Sequence, residues 1–194
     1  MKPVIGVLAL QGAFAAHVEL LGSLGTRTSE VRTVGDLEGV DGLVLPGGES
    51  STMWKLLEST GLAVAVAQRT AAGMPVFGTC AGMILLAARI LDGRADQSSF
   101  AAIDIDVRRN AYGRQVDSFE TDLRTTVGDV RGVFIRAPRI ERLGEGVEVL
   151  ARLGDEPVLV RSGNALAAAF HPELSGDGAL HRYFVSTVRE PGRV

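Results

Sequence analysis

The only cysteine of the chain, Cys80, stands at the junction of two contrasting runs. The run 74–79 (MPVFGT) is typical of a buried strand, and the run 81–91 (AGMILLAARIL) is typical of a helix. Gly78 and Gly82 supply the small neighbours that a tight strand–nucleophile–helix turn requires. The amino end of the helix favours a thiolate at this position. The pattern predicts a nucleophilic cysteine, and the alternative is a small buried apolar residue.

A thiol nucleophile needs a base, and the base needs a group that orients it. His171 follows a strand-like run directly, Pro172 fixes the backbone after it, and Glu173 comes two residues later. A carboxylate so close can bond one ring nitrogen and set the imidazole tautomer. The other two histidines, His17 and His181, fall on helical patterns and are interpreted as surface or packing residues. The alternative for the His-Pro-Glu sequence is a simple turn.

A third element is the glycine-rich run 45–51 (LPGGESS), in which a predicted strand ends at a proline. Gly47 and Gly48 expose their backbone amides there, and the amide of Ala81 lies next to the thiol. Such amides can form an oxyanion hole. Glu49 can bind a polar substrate or cap the next helix, and a plain turn with a helix cap is the alternative. No phosphate loop is expected, because no Gly-Lys-Ser/Thr sequence follows.

Short apolar strands and helical runs alternate through the first half of the chain. The predicted strands are 4–10, 29–34, 41–47 and 74–79, and the predicted helices are 13–25, 50–60, 62–73 and 81–91. Serines at the start of 50–60 are suited to an N-cap. Alternation of this kind with continuously apolar strands predicts a parallel sheet covered on both faces.

The second half of the chain changes to short strands separated by turns. The predicted strands are 103–109, 132–138, 147–153, 157–163 and 164–170, and a closing helix covers 178–190. Ser162-Gly163-Asn164 is typical of a hairpin turn between the last two strands. We therefore predict an α/β fold of three layers (α/β/α) with a mixed, mostly parallel central sheet and a flavodoxin-like core.

Length and composition limit the classes of function that the chain can have. A chain of 194 residues predicts a single domain over 1–194, and a net charge of −3 gives no basic surface for nucleic acid or an anionic membrane. The apolar start is interpreted as a first strand rather than a signal peptide, because its basic region is minimal. One cysteine cannot form an internal disulfide, so a cytoplasmic protein is expected. One cysteine and three scattered histidines do not meet metal-ligand spacing, so no metal site is expected.

Three motifs stand in order along the chain: PGGES, GTCAG and HPE. Their order and chemistry resemble the class I (triad) glutamine amidotransferase family. The runs GVLALQGAFAAH, LPGGESSTM, FGTCAGMILLA, RRNAYGRQVDSFE, GVFIRAP and FHPEL resemble in particular the glutaminase subunits of pyridoxal 5′-phosphate synthase. The resemblance extends from about residue 4 to about residue 186.

The resemblance implies that Cys80 attacks the side-chain amide of L-glutamine, with His171 as general base and Glu173 as its orienting residue. A glutamyl thioester forms, and water releases glutamate. The implied oxyanion hole consists of the Gly48 and Ala81 amides. The implied glutamine-binding residues are Gly47, Gly48, Glu49, Arg109, Ile135 and Arg136. A free amino acid needs a cation for its carboxylate and an anion for its ammonium, but the sequence does not decide which arginine serves.

The resemblance also implies a partner. Ammonia would pass to a (β/α)8-barrel synthase subunit that makes pyridoxal 5′-phosphate, in an assembly of twelve glutaminase and twelve synthase subunits. The run ALQGAFAAH is implied to lie near that interface, with Gln11 acting in activation. The glutaminase subunit itself is expected to use no cofactor.

Two other function classes fit parts of the sequence. The first is a different Cys–His hydrolase on a similar fold, such as a DJ-1/PfpI-like enzyme, in which an acidic residue sits beside the elbow thiol. Here the thiol is flanked by Thr79 and Ala81. The second is a scaffold subunit without activity, which is disfavoured because all three triad positions carry competent residues.

Overall fold

The computed structural model describes residues 2–109 and 118–189, so residues 110–117 of the predicted RRNAYGRQVDSFE motif lie outside the described residues. The strands are β1 Val4–Leu8, β2 Arg27–Val31, β3 Gly42–Leu45, β4 Val76–Thr79, β5 Ala87–Ile90, β6 Ile103–Arg108, β7 Phe119–Leu123, β8 Val130–Phe134, β9 Arg139–Leu143, β10 Glu148–Leu153, β11 Glu156–Ser162 and β12 Ala165–Ala168. The helices are α1 Phe14–Ser23, α2 Val34–Glu38, α3 Ser50–Ser59, α4 Leu62–Ala71, α5 Ala81–Leu86 and α6 Ala179–Arg189, with a 3₁₀ turn at Pro172–Leu174. In the described ranges no helix is long and apolar enough to cross a membrane.

The central sheet has seven strands in the order β10-β11-β12-β4-β3-β1-β2. The five strands from β12 to β2 are parallel, whereas β10, β11 and β12 pair antiparallel. The predicted mixed, mostly parallel sheet is therefore confirmed. Strands β5, β6 and β9 form a separate three-stranded sheet, and β7 pairs with β8.

Helices cover both faces of the sheet at β4. Successive strand residues point to opposite faces. The ring of Phe77 packs against Phe184 of α6, with ring centroids 5.7 Å apart. The next residue, Gly78, faces α5, where Leu86 and the backbone of Gly82 lie against it. The predicted three layers follow from this alternation, and the strands between them are wholly buried.

The carboxyl ends of four neighbouring parallel strands meet at one edge of the sheet. Along this edge β12 pairs with β4, β4 with β3 and β3 with β1. The residues that follow these strands therefore come close together although they are far apart in the chain. Ligands bind at this edge in open α/β sheets.

The turn from β4 into α5 holds Cys80 at φ 49° and ψ −102°, in the positive-φ region that side chains rarely adopt. Such a backbone costs about 1–3 kcal/mol and persists only where the surroundings impose it. A Cβ atom on Gly78 would lie 2.5 Å from the carbonyl carbon of Gly82, and one on Gly82 would overlap the carbonyl oxygen of Leu45. The prediction that both glycines are needed beside the thiol is confirmed.

The helix after Cys80 is shorter than predicted. The sequence predicts helix over 81–91, but α5 ends at Leu86 and the chain continues as β5. Ala87 pairs with Ile103, and Ile90 pairs with Val107. Pairing with β6, which lies outside this run, overrides the local helix propensity of the run.

Two further boundaries differ from prediction. The strand predicted at 29–34 spans 27–31, and the chain then turns into the unpredicted α2. Thr33 caps this helix in a capping box, because its side chain accepts from the Asp36 amide and the Asp36 carboxylate accepts from the Thr33 amide. The cap of α3 is Glu49, a role that the sequence allowed for it, rather than one of the serines, since its carboxylate accepts from the amides of Ser51 and Thr52.

The second half contains more strands than predicted. The hairpin at Ser162-Gly163-Asn164 is confirmed, with Ser162 paired to Ala165 and Gly163 at φ 53°. The strand predicted at 132–138 spans 130–134. Strands β7 and β9 were not predicted, because their exposed faces carry charged residues that hide the alternation.

The close approach of α5 to the sheet generates a stability prediction. Replacing Gly82 with alanine forces a methyl group into the Leu45 carbonyl and should lower the free energy of unfolding by about 3 kcal/mol. Chemical denaturation measures the change. Gly22→Ala is the matched control, because Gly22 is in α1 with no atom within 4 Å of its added Cβ. It should raise stability by roughly 0.5–1 kcal/mol. Equal effects of the two substitutions would contradict the steric argument.

Candidate active site

A cavity of about 500 Å³ opens at the carboxyl edge of the sheet. Two of the three predicted catalytic residues, both predicted oxyanion-hole residues and all six predicted substrate-binding residues line it. The lining residues are Gln11, Gly12, Ala13, Gly47, Gly48, Glu49, Ser50, Cys80, Ala81, Ile84, Arg109, Ile135, Arg136, His171 and Leu174. Glu173, the third predicted catalytic residue, lies behind His171. A cavity of this size accommodates a small metabolite.

The thiol lies on the cavity wall with only 7% of the residue exposed. Its sulfur is 3.9 Å from the carbonyl oxygen of Ile135, and the His171 imidazole lines the same cavity and interacts with the thiol strongly enough to raise the pKa of the ring. His171 reaches this position because it follows β12, the strand beside β4. Its own amide donates to the carbonyl of Val133 at 2.8 Å, which fixes the backbone from a second sheet.

The second ring nitrogen of His171 is held by a carboxylate. Nδ1 lies 2.7 Å from Oε1 of Glu173, whose side chain is fully buried. Pro172 begins the 3₁₀ turn that brings the carboxylate back onto the ring. Because an ionised carboxylate only accepts, Nδ1 carries the proton, and Nε2 is the nitrogen available to the thiol.

The electrostatics favour the protonated imidazole. Burial lowers the pKa of His171, but hydrogen bonds to Cys80 and Glu173 and the negative charges of both outweigh it and raise that pKa to about 10. An imidazolium next to the sulfur stabilises a thiolate, the form of cysteine that acts as a nucleophile. The pair is therefore suited to nucleophilic attack on a polar carbonyl group.

Gly47 leaves room for the imidazole of His171, and Gly12 leaves room for the backbone of Gly47. A Cβ atom on Gly47 would overlap Cε1 of His171, so no side chain is tolerated there without moving the ring. Gly12, at φ 96°, packs against the carbonyl of Gly47, which accepts a hydrogen bond of 3.0 Å from the amide of Ala13. The loop after β1 thus buttresses the loop after β3, and the latter sets the wall of the site.

Glu49 has a structural role as well as a place in the cavity. Its carboxylate caps α3, and these hydrogen bonds outweigh partial burial and lower its pKa to about 2. Gln11 reaches across from the loop after β1 and accepts from the Glu49 amide at 2.9 Å. The carboxylate therefore stays ionised at neutral pH and is held in place at the cavity wall.

The two candidate arginines differ in how they are held. Arg109 is only 18% exposed at its side chain, donates to Gln97 at 2.8 Å and lies 3.6 Å from the Glu49 carboxylate. Arg136 is exposed and has φ 45°, a strained backbone that turns the chain at the cavity rim. Ile135 before it is half-buried and presents its carbonyl to the sulfur of Cys80.

Of the two interpretations of His17 and His181, surface or packing, the structure supports packing. Both are fully buried, and Nδ1 of His17 lies 2.8 Å from Nε2 of His181. Nε2 of His17 lies 3.4 Å from Oε2 of Glu173. The sequence signal was present, since His17 falls on the apolar face of α1, but its partner is 164 positions away.

Within residues 2–109 and 118–189, no group of three or more metal-ligating side chains is close enough to hold an ion.

An elbow cysteine and a His–Glu pair at the carboxyl edge of this mixed sheet define an α/β protein of the class I glutamine amidotransferase type. Solved structures agree. A crystal structure of a glutamine amidotransferase superposes with a TM-score of 0.91 at 52% identity, covering 95% of this chain and 98% of that one. A putative GMP synthase subunit from Thermoplasma acidophilum has a TM-score of 0.70 at 17% identity, which supports the fold alone.

The chain belongs to the SNO glutamine amidotransferase family, whose model matches residues 7–190. Among similar proteins, the pyridoxal 5′-phosphate synthase subunit PdxT of Kineococcus radiotolerans is 55% identical over 97% of this chain and 96% of its own length. The PdxT subunit of Thermus thermophilus is 57% identical over 95% of this chain and 97% of its own length. The resemblance seen in the sequence motifs is thereby confirmed.

The contact between thiol and imidazole generates a prediction for the titration of His171. Cys80→Ala removes the interaction with the thiol that raises the pKa of His171, so this pKa should fall below about 10. In the intact protein the raised pKa stabilises the folded state. That contribution is complete below the ordinary value of about 6.5 and is lost as the pH rises through about 10.

An NMR titration of the imidazole measures this pKa in both proteins. Ser23→Ala, on the exposed end of α1, is the control and should leave it unchanged. An unchanged titration in Cys80→Ala would show that the thiol and the ring do not interact.

Proposed function

We propose that this chain hydrolyses L-glutamine to L-glutamate and ammonia with Cys80, His171 and Glu173 as its catalytic triad. Its family consists of glutamine amidotransferases, which supports the reaction. The observation that carries the residue assignment is the imidazole of His171, which lines the same cavity as the elbow thiol and is held at Nδ1 by a buried carboxylate. Cys80 follows β4, and His171 and Glu173 follow β12, which pairs with β4, so the rigid central sheet positions all three groups.

Before the first step His171 holds the thiol proton as an imidazolium, and in that step the sulfur of the thiolate attacks the side-chain carbonyl carbon of glutamine. The new C–S bond pushes the carbonyl electrons onto oxygen, and the amides of Gly48 and Ala81 stabilise this oxyanion. Both residues line the cavity beside the sulfur, which supports the assignment. Glu173 stabilises the imidazolium without taking up its proton.

In the second step the imidazolium of His171 donates its proton to the leaving nitrogen. The C–N bond breaks, ammonia departs, and a glutamyl thioester remains on Cys80. Neutral His171 then removes a proton from water, whose oxygen attacks the thioester carbon. The C–S bond breaks, the sulfur recovers its electron pair, and glutamate is released. The side chains and the attacking water supply every proton in this scheme, so the proposed reaction uses no cofactor.

Substrate binding is proposed to use both charges at the rim of the cavity. The ionised Glu49 receives the α-ammonium group, and Arg109 receives the α-carboxylate. Arg109 is preferred to Arg136 because Gln97 and Glu49 orient its guanidinium, whereas the Arg136 side chain is exposed. Gly47, Gly48, Ile135 and Arg136 then line the rest of the glutamine pocket.

We further propose that ammonia passes to a synthase subunit that makes pyridoxal 5′-phosphate, because the curated relatives carry the name of that synthase. The partner is proposed to be a (β/α)8 barrel, in an assembly of twelve copies of each subunit. Free ammonia is protonated in water, so a docked partner and an enclosed path would preserve it. The single cysteine, with no partner for a disulfide within the chain, supports a cytoplasmic location.

The triad is tested by Cys80→Ala. This variant should lose glutaminase activity by at least about 10³-fold, because Cys80 is the only cysteine of the chain and no second thiol can replace it. Glutamate release is measured with and without the synthase subunit, and the intact chain should be weakly active alone and more active with its partner. Persistent activity in the variant would exclude Cys80 as the nucleophile.

A glutamine-mimicking alkylator provides a second measurement on the intact chain. Mass spectrometry should show one adduct, located on Cys80 and prevented by excess glutamine. An adduct that glutamine does not prevent would argue for a different substrate, and peptides and α-oxoaldehydes should then be screened.

The substrate assignment is tested by comparing Arg109→Gln with Arg136→Gln. Loss of a charge-assisted hydrogen bond is worth about 1.5–3 kcal/mol, so Arg109→Gln should raise KM for glutamine by roughly 10–100-fold with kcat little changed. Arg136→Gln is the matched control and should change KM less. A larger effect at position 136 would reverse the assignment.

A further inference from the structure

A buried polar cluster lies behind the proposed triad, on the side away from the cavity. Its members are His17 on α1, His181 on α6 and Thr79 at the end of β4, and all three are fully buried. Nε2 of His17 lies 3.2 Å from the Thr79 hydroxyl and 3.4 Å from Oε2 of Glu173. Because the other oxygen of this carboxylate binds His171, the cluster contacts the half of Glu173 that the triad leaves unused.

The hydrogen bond between the two histidines permits two arrangements. In one, His181 donates to Nδ1 of His17, and Nε2 of His17 carries a proton that points toward the hydroxyl of Thr79 and the carboxylate of Glu173. In the other, His17 donates to His181, and a bare nitrogen of His17 faces the carboxylate. The second arrangement also leaves an N–H at Nδ1 of His181, a buried atom for which the described residues provide no partner.

The first arrangement has the lower free energy for two reasons. An N–H near a carboxylate oxygen is attractive, whereas a lone pair at the same position is repulsive. An unpaired lone pair at Nδ1 of His181 also costs less than a buried N–H that cannot donate, since orphaned N–H groups are the rarer of the two in native proteins. Nε2 of His17 therefore carries the proton, with the Thr79 hydroxyl at 3.2 Å as its hydrogen-bond partner and Oε2 of Glu173 at 3.4 Å.

The two histidines stay neutral in this cluster. Burial and the neighbouring His181 and His171 hold the pKa of His17 well below its ordinary value. Burial and Arg182 lower the pKa of His181 to about 4, against a smaller opposing effect of Asp177. The pair thus contacts Glu173 as a fixed dipole and brings no positive charge to compete with His171 for the carboxylate.

We propose that His17, oriented by His181, is a positioning residue that holds the second oxygen of Glu173 and so fixes the first oxygen on His171. The inference rests on the proposed function, because it assigns to His17 an action through the triad. In the described residues no hydrogen bond that meets normal geometry reaches this second oxygen, and Nε2 of His17 lies 3.4 Å from it. Without that N–H, the carboxylate is free to turn away from Nδ1 of His171.

The test compares two amides that differ only in reach. The amide nitrogen of glutamine occupies the position of Nε2 of histidine, so His17→Gln keeps a donor toward Glu173. The amide nitrogen of asparagine matches Nδ1, so His17→Asn keeps polarity but withdraws the donor. Groups that orient a catalytic residue typically contribute about 10–100-fold, so His17→Asn should lower kcat by that factor with KM nearly unchanged. His17→Gln should remain within about threefold of the natural chain.

Two readouts separate positioning from a loss of packing. The first is the kcat and KM of glutaminase activity in the presence of the synthase subunit. The second is the pH dependence of Cys80 alkylation by iodoacetamide in the chain alone, which should shift to higher pH in His17→Asn, because His171 then stabilises the thiolate less well. Leu21→Ala, one turn further along α1 and equally buried, is the packing control. It should lower the melting temperature and leave kcat and the alkylation profile unchanged.

The outcomes are distinct. A defect in His17→Asn that His17→Gln relieves supports the proposal. Equal kcat and equal alkylation profiles for the two amides overturn it, as does a defect in Leu21→Ala of the same size as that in His17→Asn. Retained glutaminase activity in Cys80→Ala would instead refute the triad itself, so failure of the proposed function is recognised separately.

Discussion

The rest of the structure depends on one close approach, that of α5 to the two central strands. The backbone of Gly82 lies on the carbonyl of Leu45 and against Gly78, with no room for a Cβ atom on either glycine. This contact forces the chain to turn within one residue, and Cys80 adopts a positive φ to make the turn. The turn is strained, but the fully buried strands around it supply the packing that holds it in place.

The position of this turn, together with the pairing of neighbouring strands, determines where the other residues of the site lie. Strand β12 lies beside β4, with Ala168 opposite Thr79, so the residues after both strands emerge at the same edge. His171 therefore meets Cys80, although 91 positions separate them. The loops after β1 and β3 close the cavity from the other side, and Gly47 allows one of them to lie directly on the imidazole. A rigid sheet thus positions groups that flexible loops would hold less accurately.

The charges of the site are arranged in two zones. At the cavity rim, Glu49 and Arg109 are ionised and reachable by a polar ligand. Behind the cavity, burial keeps His17 and His181 neutral, whereas His171 on the cavity wall, between a thiol and a carboxylate, is driven toward its protonated form. Identical side chains therefore differ in charge because of their neighbours, which is how one fold keeps a single imidazole poised for proton transfer.

Local spacing in the sequence was enough to predict the parts of the protein that depend on near neighbours. The elbow needs small residues two positions before and after the thiol, His171 needs a carboxylate two residues on, and the apolar runs need burial on both faces. The chain itself therefore determined the elbow that carries Cys80, the pairing of His171 with Glu173 and the α/β class. Boundaries such as the start of α2 were also encoded locally, in the capping box of Thr33, but were missed.

Other features were decided only by tertiary structure, because the residues that cause them lie outside the local stretch of sequence. The run after Leu86 leaves the helix since β6 offers it a pairing edge. His17 is buried and polar because His181, on the last helix, completes its hydrogen bonding. A sequence pattern gives the hydrophobic period and the residue types. The burial, charge state and hydrogen-bond partner of a side chain depend on residues from other parts of the chain that pack against it. Only the folded sheet brings those residues together.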